Sequence, residues 1–189
     1  MNVSLVPDVR MNVGEFLAWS ELHPEPEDQR YELVDGKVIS VSRLETIGHC
    51  QAKGAAGFTL HDAVRTAGLP RVVLFKGIGV ATSDDTVRLP DVVVLSGPVT
   101  DLDATLVEKP LIVVEVESPA NPVGSKFIDY AAVESIHHYL ISVWRRRTVI
   151  HHQRNDRGTF DTRIVKDGDI ILDPPGLSVS VAAFLGEED

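Results

Sequence analysis

The sequence predicts an α/β (α+β) fold with a mixed central β-sheet flanked by helices and a C-terminal β-hairpin extension. Three patterns predict it. The apolar runs at 92–95 and 111–116 are near-continuous, as in strands buried on both faces of a sheet. Residues 45–67 contain no proline and enough Ala, Leu and Val for a long helix, of the kind that covers such a sheet. The last third of the chain is rich in β-branched residues separated by turn signals, which reads as further strands. The length of 189 residues suits one domain spanning 1–189.

The elements follow in order. Val13, Phe16, Leu17 and Trp19 recur at rough helical spacing in VGEFLAWSEL, a short helix that the two prolines of HPEPEDQ end. Residues 31–34 and 37–41 flank Asp35-Gly36, a two-residue hairpin turn. The helix at 45–67 stops at Gly68-Leu69-Pro70. Strand-like residues occupy 71–75 and 77–81, and Ser83-Asp84-Asp85 turns the chain. Pro90 has no N–H for a ladder, so the next strand begins near Asp91. The strand at 111–116 is closed by Ser118-Pro119-Ala120-Asn121-Pro122. Residues 124–140 read as a helix with Phe127, Ala131, Ile136, Tyr139 and Leu140 on its apolar side. A strand at 140–144 follows, then a hairpin of 148–153 and 159–165 about Asn155-Asp156-Arg157-Gly158. The segment LSVSVAAFL begins as an alternating strand and finishes as a helical turn.

Composition excludes several classes. No apolar run approaches the ~20 residues that cross a bilayer, and MNVSLVPDVRMNV lacks the basic and apolar regions of a signal peptide. A cytoplasmic protein with no membrane partner is expected. The single cysteine, Cys50, forms no internal disulfide and is too few ligands for structural zinc; it reads as a small buried apolar residue. The net charge of −10 opposes nucleic-acid binding unless basic residues are concentrated locally. Arg145, Arg146 and Arg147 are consecutive, with His151, His152, Arg154 and Arg157 close behind. That cluster suits either a phosphate contact or a hairpin edge guarded by charge. The pairs His137-His138 and His151-His152, and His61, read as surface or packing residues, because adjacent side chains point apart.

One constellation carries chemistry. Pro90-Asp91 opens an apolar strand, the next apolar strand ends Glu115-Val116-Glu117, and Lys126 follows. Glu115 and Glu117 share one face of the strand. Glu115 then lies near the interior, where a carboxylate is costly unless paired or bound to a cation. If the two strands are neighbours, their ~4.8 Å spacing lets Asp91 and Glu115 reach one ion. Two carboxylates and the Val116 carbonyl suit Mg²⁺, which takes oxygen ligands and keeps several waters. Lys126 at the start of the following helix would orient water or stabilise charge on a phosphate, and Tyr130 shares its helical face. Taken singly, Asp91 is also an ordinary strand start, Glu117 an exposed strand end, and Lys126 a solvated lysine.

RYELVDGKVI, LPDVVVL, LIVVEVESPAN, KFIDY and ILDPPGLSVSVAAFL, taken in this order, resemble the PD-(D/E)XK nuclease superfamily. They resemble in particular its Uma-two branch of short restriction-endonuclease-like proteins, over roughly residues 11–185. The resemblance implies a restriction-endonuclease-like core and a Mg²⁺ (or Mn²⁺) site at Asp91, Glu115 and Val116. It implies that Lys126 is the catalytic lysine, moved from strand to helix, and that Glu32 is an additional acidic residue. His49 matches a histidine near the start of the family's long helix. The implied activity is hydrolysis of DNA phosphodiester bonds, by a homodimer in which two sites address two strands. Two departures point to the alternative, a nuclease-fold binding or assembly module without catalysis. The segment before Lys126 is about three residues shorter than usual, and an expected aspartate is absent from His137–Ser142.

Overall fold

Asn12 starts the first helix, α1 (Val13–Leu22): its side chain accepts the Glu15 N–H while the Glu15 carboxylate accepts the Asn12 N–H, a reciprocal cap. The structure is a computed structural model that describes residues 6–75, 77–118, 124 and 126–186. Asp35 and Gly36 take φ of 48° and 74°, the double left-handed turn of a tight hairpin. They join β1 (Gln29–Val34) to β2 (Lys37–Ser42) in the predicted register, with Val34 opposite Lys37. Thr46 caps α2 (Ile47–Thr66) through the His49 N–H. Then come β3 (Val73–Phe75), β4 (Val80–Ser83), β5 (Thr86–Arg88), β6 (Val92–Leu95) and β7 (Pro110–Val116). The chain continues through α3 (Phe127–Ala132), β8 (His138–Val143), a 3₁₀ turn (Trp144–Arg146), β9 (Thr148–Arg154) and β10 (Phe160–Val165). It ends in β11 (Asp169–Leu172), β12 (Leu177–Ser180) and α4 (Val181–Leu185).

The central sheet runs β10-β9-β8-β7-β6-β3, with β7 and β8 parallel and the other neighbours antiparallel. A second sheet runs β2-β1-β5-β4, and β11 pairs with β12. Every residue of β6, β7 and β8 is buried, as the apolar runs require. Alternation sorts their side chains onto two faces. Val92, Val94, Ile112, Val114 and Leu140 pack with Ala56, Leu60 and Val64 of α2 and Phe184 of α4. Val93, Val113, Tyr139 and Ile141 pack with Tyr130 of α3.

Two expectations are corrected. The helix read at 124–140 is only α3, and β8 begins at His138. Val133 leaves helical geometry at φ −84°, ψ 109°, and His137 N–H bonds Leu111 O. The six residues HYLISV fill the slot between β7 and β9 and are buried on both sides. A ladder bonded along both edges there overrides a helical spacing. Cys50 is exposed, on the outer side of α2, with its thiol toward Glu45. The closing turn expected at 118–122 lies, from Pro119 onward, outside the described residues.

Candidate active site

β6 and β7 are antiparallel neighbours with Val92 opposite Val114, so the start of one meets the end of the other. Asp91 N–H donates to Val114 O at 3.1 Å. Its Oδ2 accepts the Val116 N–H at 2.8 Å, which fixes the carboxylate at the end of β7. Lys53 Nζ of α2 stands 3.3 Å from Asp91 Oδ1 and also donates to Glu45 Oε1 and Oε2 at 2.7 and 2.6 Å. His49, one turn earlier, places Nε2 3.2 Å from Val116 O, which requires the proton on Nε2. Its Nδ1 is 3.4 Å from Glu45 Oε2.

Glu115 points into the α3 side of the sheet and is 4% exposed. Its Oε1 accepts the Tyr130 hydroxyl at 2.7 Å and Lys126 Nζ at 3.1 Å. Lys126 also donates to Glu32 Oε1 at 2.9 Å. Glu32, in β1, further accepts Leu89 N–H at 3.0 Å and Arg88 Nη1 at 2.9 Å, and Arg88 Nε reaches Asp129 Oδ2 at 2.7 Å. One ammonium therefore bridges two carboxylates from two sheets.

The environments set the charges. Burial pushes Glu115 up to about 7; Lys126 and the Tyr130 bond pull it down, while Asp91 and Glu32 push it further up. Burial also opposes charge on Glu32, but Lys126, Leu89 N–H and Arg88 outweigh it and hold the carboxyl below its ordinary range. For Lys126, burial again opposes the charge, and Glu115 with Glu32 overcomes it, so the ammonium is held more tightly than in water. Burial, then Glu115, drives the Tyr130 phenol far above its ordinary value. It acts as a donor and never as a phenolate at neutral pH.

The structure brings together Asp91, Glu115, Lys126, Glu32, His49, Tyr130 and the Val116 backbone. Glu117 stands apart: its N–H bonds Ser142 O, and among the described residues no hydrogen bond or ion pair reaches its carboxylate. The sequence reading missed Lys53, Glu45, Arg88 and Asp129. Glu45, His49 and Lys53 repeat at a spacing of four, one helical face, so part of this signal was present. Arg88 carried none.

By type, the donors at this strand end suit a hard divalent cation. Asp91, Glu115 and Val116 O offer only oxygen, as a hard cation of Mg²⁺ size requires. Burial, and then Asp91 and Glu32, raise the proton affinity of Glu115, so a cation bound beside it would offset the cost of its charge. Among the described residues no three His, Cys, Asp or Glu side chains gather as ligands. Asp91, Glu115 and Val116 O would hold such a cation through two carboxylates and one carbonyl, and Lys53, which pairs with both Glu45 and Asp91, would then keep Glu45 alone.

The fold is a restriction-endonuclease-like core, a mixed sheet flanked by helices, with Asp91 and Glu115 at adjoining strand ends and Lys126 bonded to Glu115. Residues 13–183 match the Uma2 family, described as putative restriction endonucleases, and the chain belongs to that family. Among solved structures it is similar to a putative nuclease of the DUF820 group from Anabaena variabilis, with a TM-score of 0.71 and 14% identity. That likeness covers 93% of this chain and 97% of the other, and at this identity it speaks for the fold. No curated protein matches the chain. No helix among the described residues is long and apolar enough to cross a membrane.

Proposed function

We propose that this protein is a Mg²⁺- or Mn²⁺-dependent endonuclease that hydrolyses DNA phosphodiester bonds through Asp91, Glu115 and Lys126. The carrying observation is the partly buried ammonium of Lys126, held at 2.9 and 3.1 Å between Glu32 and Glu115 at the strand end where Asp91 is fixed. A divalent cation bound by Asp91, Glu115 and Val116 O would supply Lewis-acid stabilisation of the charge that builds on phosphorus-bound oxygen. Lys126 stays cationic, so it stabilises anionic phosphate instead of removing a proton from water. Glu32 and Arg88 hold Lys126 in place, and Tyr130 orients Glu115. The same reading takes the protein as cytoplasmic and homodimeric, one site for each DNA strand.

Cleavage of supercoiled plasmid in Mg²⁺ or Mn²⁺, with cation binding followed by calorimetry, tests this. Asp91→Ala and Glu115→Ala are expected to abolish both while the protein stays folded. Undiminished cleavage by either variant would remove the proposal. One observation favours a second reading, a binding or assembly module without catalysis: Asp91 is already paired with Lys53, and Val116 O with His49. Absence of cation binding in the wild type would select it.

A further inference from the structure

The triple arginine at 145–147 plays no part in the network above. β8 is not an edge strand: it lies between β7 and β9, and β9 is covered by β10. The turn between them therefore guards no open edge, and the charge-protection explanation loses its object. β7 and β8 are parallel with Val116 opposite Ser142, so both strands deliver their ends to the same rim of the sheet. Arg145 comes three residues after Ser142, at most ~10 Å of extended backbone from the strand end that carries Glu115 and Asp91.

The turn is also fixed against the site. Trp144 packs so closely on Gly48 that a Cβ there would lie 2.4 Å from its ring. Gly48 immediately precedes His49, which bonds Val116 O. Arg147 N–H bonds Trp144 O at 3.0 Å, and Thr148 Oγ1 donates to Arg146 O at 2.8 Å. Arg145 lies over the Trp144 ring, 4.3 Å from its centroid. All three arginines are exposed, and among the described residues no carboxylate pairs with Arg145 or Arg146. Other cations near the site are engaged: Lys53 by Glu45 and Asp91, Arg88 by Glu32 and Asp129, and Lys126 by Glu32 and Glu115. On a chain of net charge −10, phosphate must be met by such a local concentration of positive charge.

We infer that the Trp144–Arg147 turn is a docking surface for the phosphate backbone of nucleic acid, with Arg145 and Arg146 contacting phosphates beside the one presented to Glu115 and Lys126. This rests on the nuclease reading and adds how the substrate is held. The contacts are to backbone, so they position the duplex without selecting its sequence.

The test is anisotropy of a labelled DNA duplex, with Ca²⁺ in place of Mg²⁺, from about 50 to 200 mM salt. Each lost phosphate contact lowers the log–log salt slope by about 0.9. Arg145→Gln with Arg146→Gln is expected to lower it by nearly 2 and to weaken binding about tenfold or more, equally across sequences. Arg145→Lys with Arg146→Lys should keep most of the slope. Arg65→Gln with Arg157→Gln, at the far end of α2 and in the β9–β10 turn at the opposite rim, removes the same charge and should stay within about twofold. Arg146→Gln alone serves if the double variant unfolds, with about half the effect. An unchanged slope in the Gln variants would overturn the inference, as would an equal loss in the distant pair. If Asp91→Ala abolishes cleavage while the Gln variants bind normally, the nuclease reading stands and this one falls. A wild type that binds no duplex would bring down both.

Discussion

Replacing Glu115 by Gln keeps the shape of the side chain and removes its ionisation, so it isolates what the buried charge costs. Burial displaces Glu115 from 4.5 to about 7; at 1.36 kcal/mol for each pKa unit that is about 3 kcal/mol. The sign follows from proton linkage. Between pH 4.5 and 7 the folded protein keeps a proton that the unfolded chain has released. The stability this proton confers is complete below about pH 4.5 and is lost as pH rises to about 7. Glutamine is neutral throughout and loses nothing. The stability of Glu115→Gln minus that of the wild type should therefore grow by about 3 kcal/mol from pH 4.5 to 7.5. Lys126 does not blur the comparison, because even with one carboxylate fewer it stays charged in this range beside Glu32. Urea unfolding in EDTA at the two pH values, followed by circular dichroism, measures the difference. A difference flat to within about 0.5 kcal/mol would refute the claim that Glu115 is buried without adequate positive charge. The same variant should lose cleavage and the stabilisation by Mg²⁺, since the charge that costs stability is the one the cation needs.

The remaining expectations use other contacts. Tyr130→Phe leaves Glu115 without its shortest bond and should destabilise by about 1.5–3 kcal/mol at pH 8, where the acceptor is ionised, and by less at pH 5; equal losses at both would show that the bond is indifferent to that charge. His138 and His151 lie 2.9 Å apart, Nδ1 to Nε2, and His138 Nε2 donates to Pro174 O. Burial pulls them down to about 4 and about 3, so the folded protein stays neutral there while the unfolded chain takes up protons below about 6.5. Their contribution to stability is lost as pH falls from 6.5 through 4, opposite in sign to that of Glu115. Imidazole resonances of both should stay flat between pH 8 and 5 in NMR titrations, and ordinary titration near 6.5 would contradict the packing. Gly48→Ala forces Trp144 to move and should cost about 1–3 kcal/mol less the ~1 kcal/mol of better helix propensity; unaltered tryptophan fluorescence would mean that the contact is loose.

Much of the site could be read from order along the chain. Pro90-Asp91 and Glu115-Val116 mark two strand ends, and antiparallel neighbours bring such ends together. Lys126 and Tyr130 are four apart at a helix start and both reach Glu115 Oε1. Glu32 was named through resemblance alone, since its approach depends on β1 pairing β5 and on the turn at Leu89. Arg88 carries no local pattern, and its bonds to Glu32 and Asp129 span 56 and 41 residues.

Local rules therefore settled the hairpin at Asp35-Gly36, the strands β6 and β7, and the helix α2, because turn chemistry and apolar runs act over a few residues. Tertiary structure decided the stretch 133–143. There the apolar spacing allowed a helix, and the vacant place between β7 and β9 made it a strand. It also decided the charges. Whether Glu115 holds its proton near neutrality depends on burial and on Lys126, Asp91 and Glu32, and electrostatic energy depends on distance through space and on excluded water, which sequence separation does not encode.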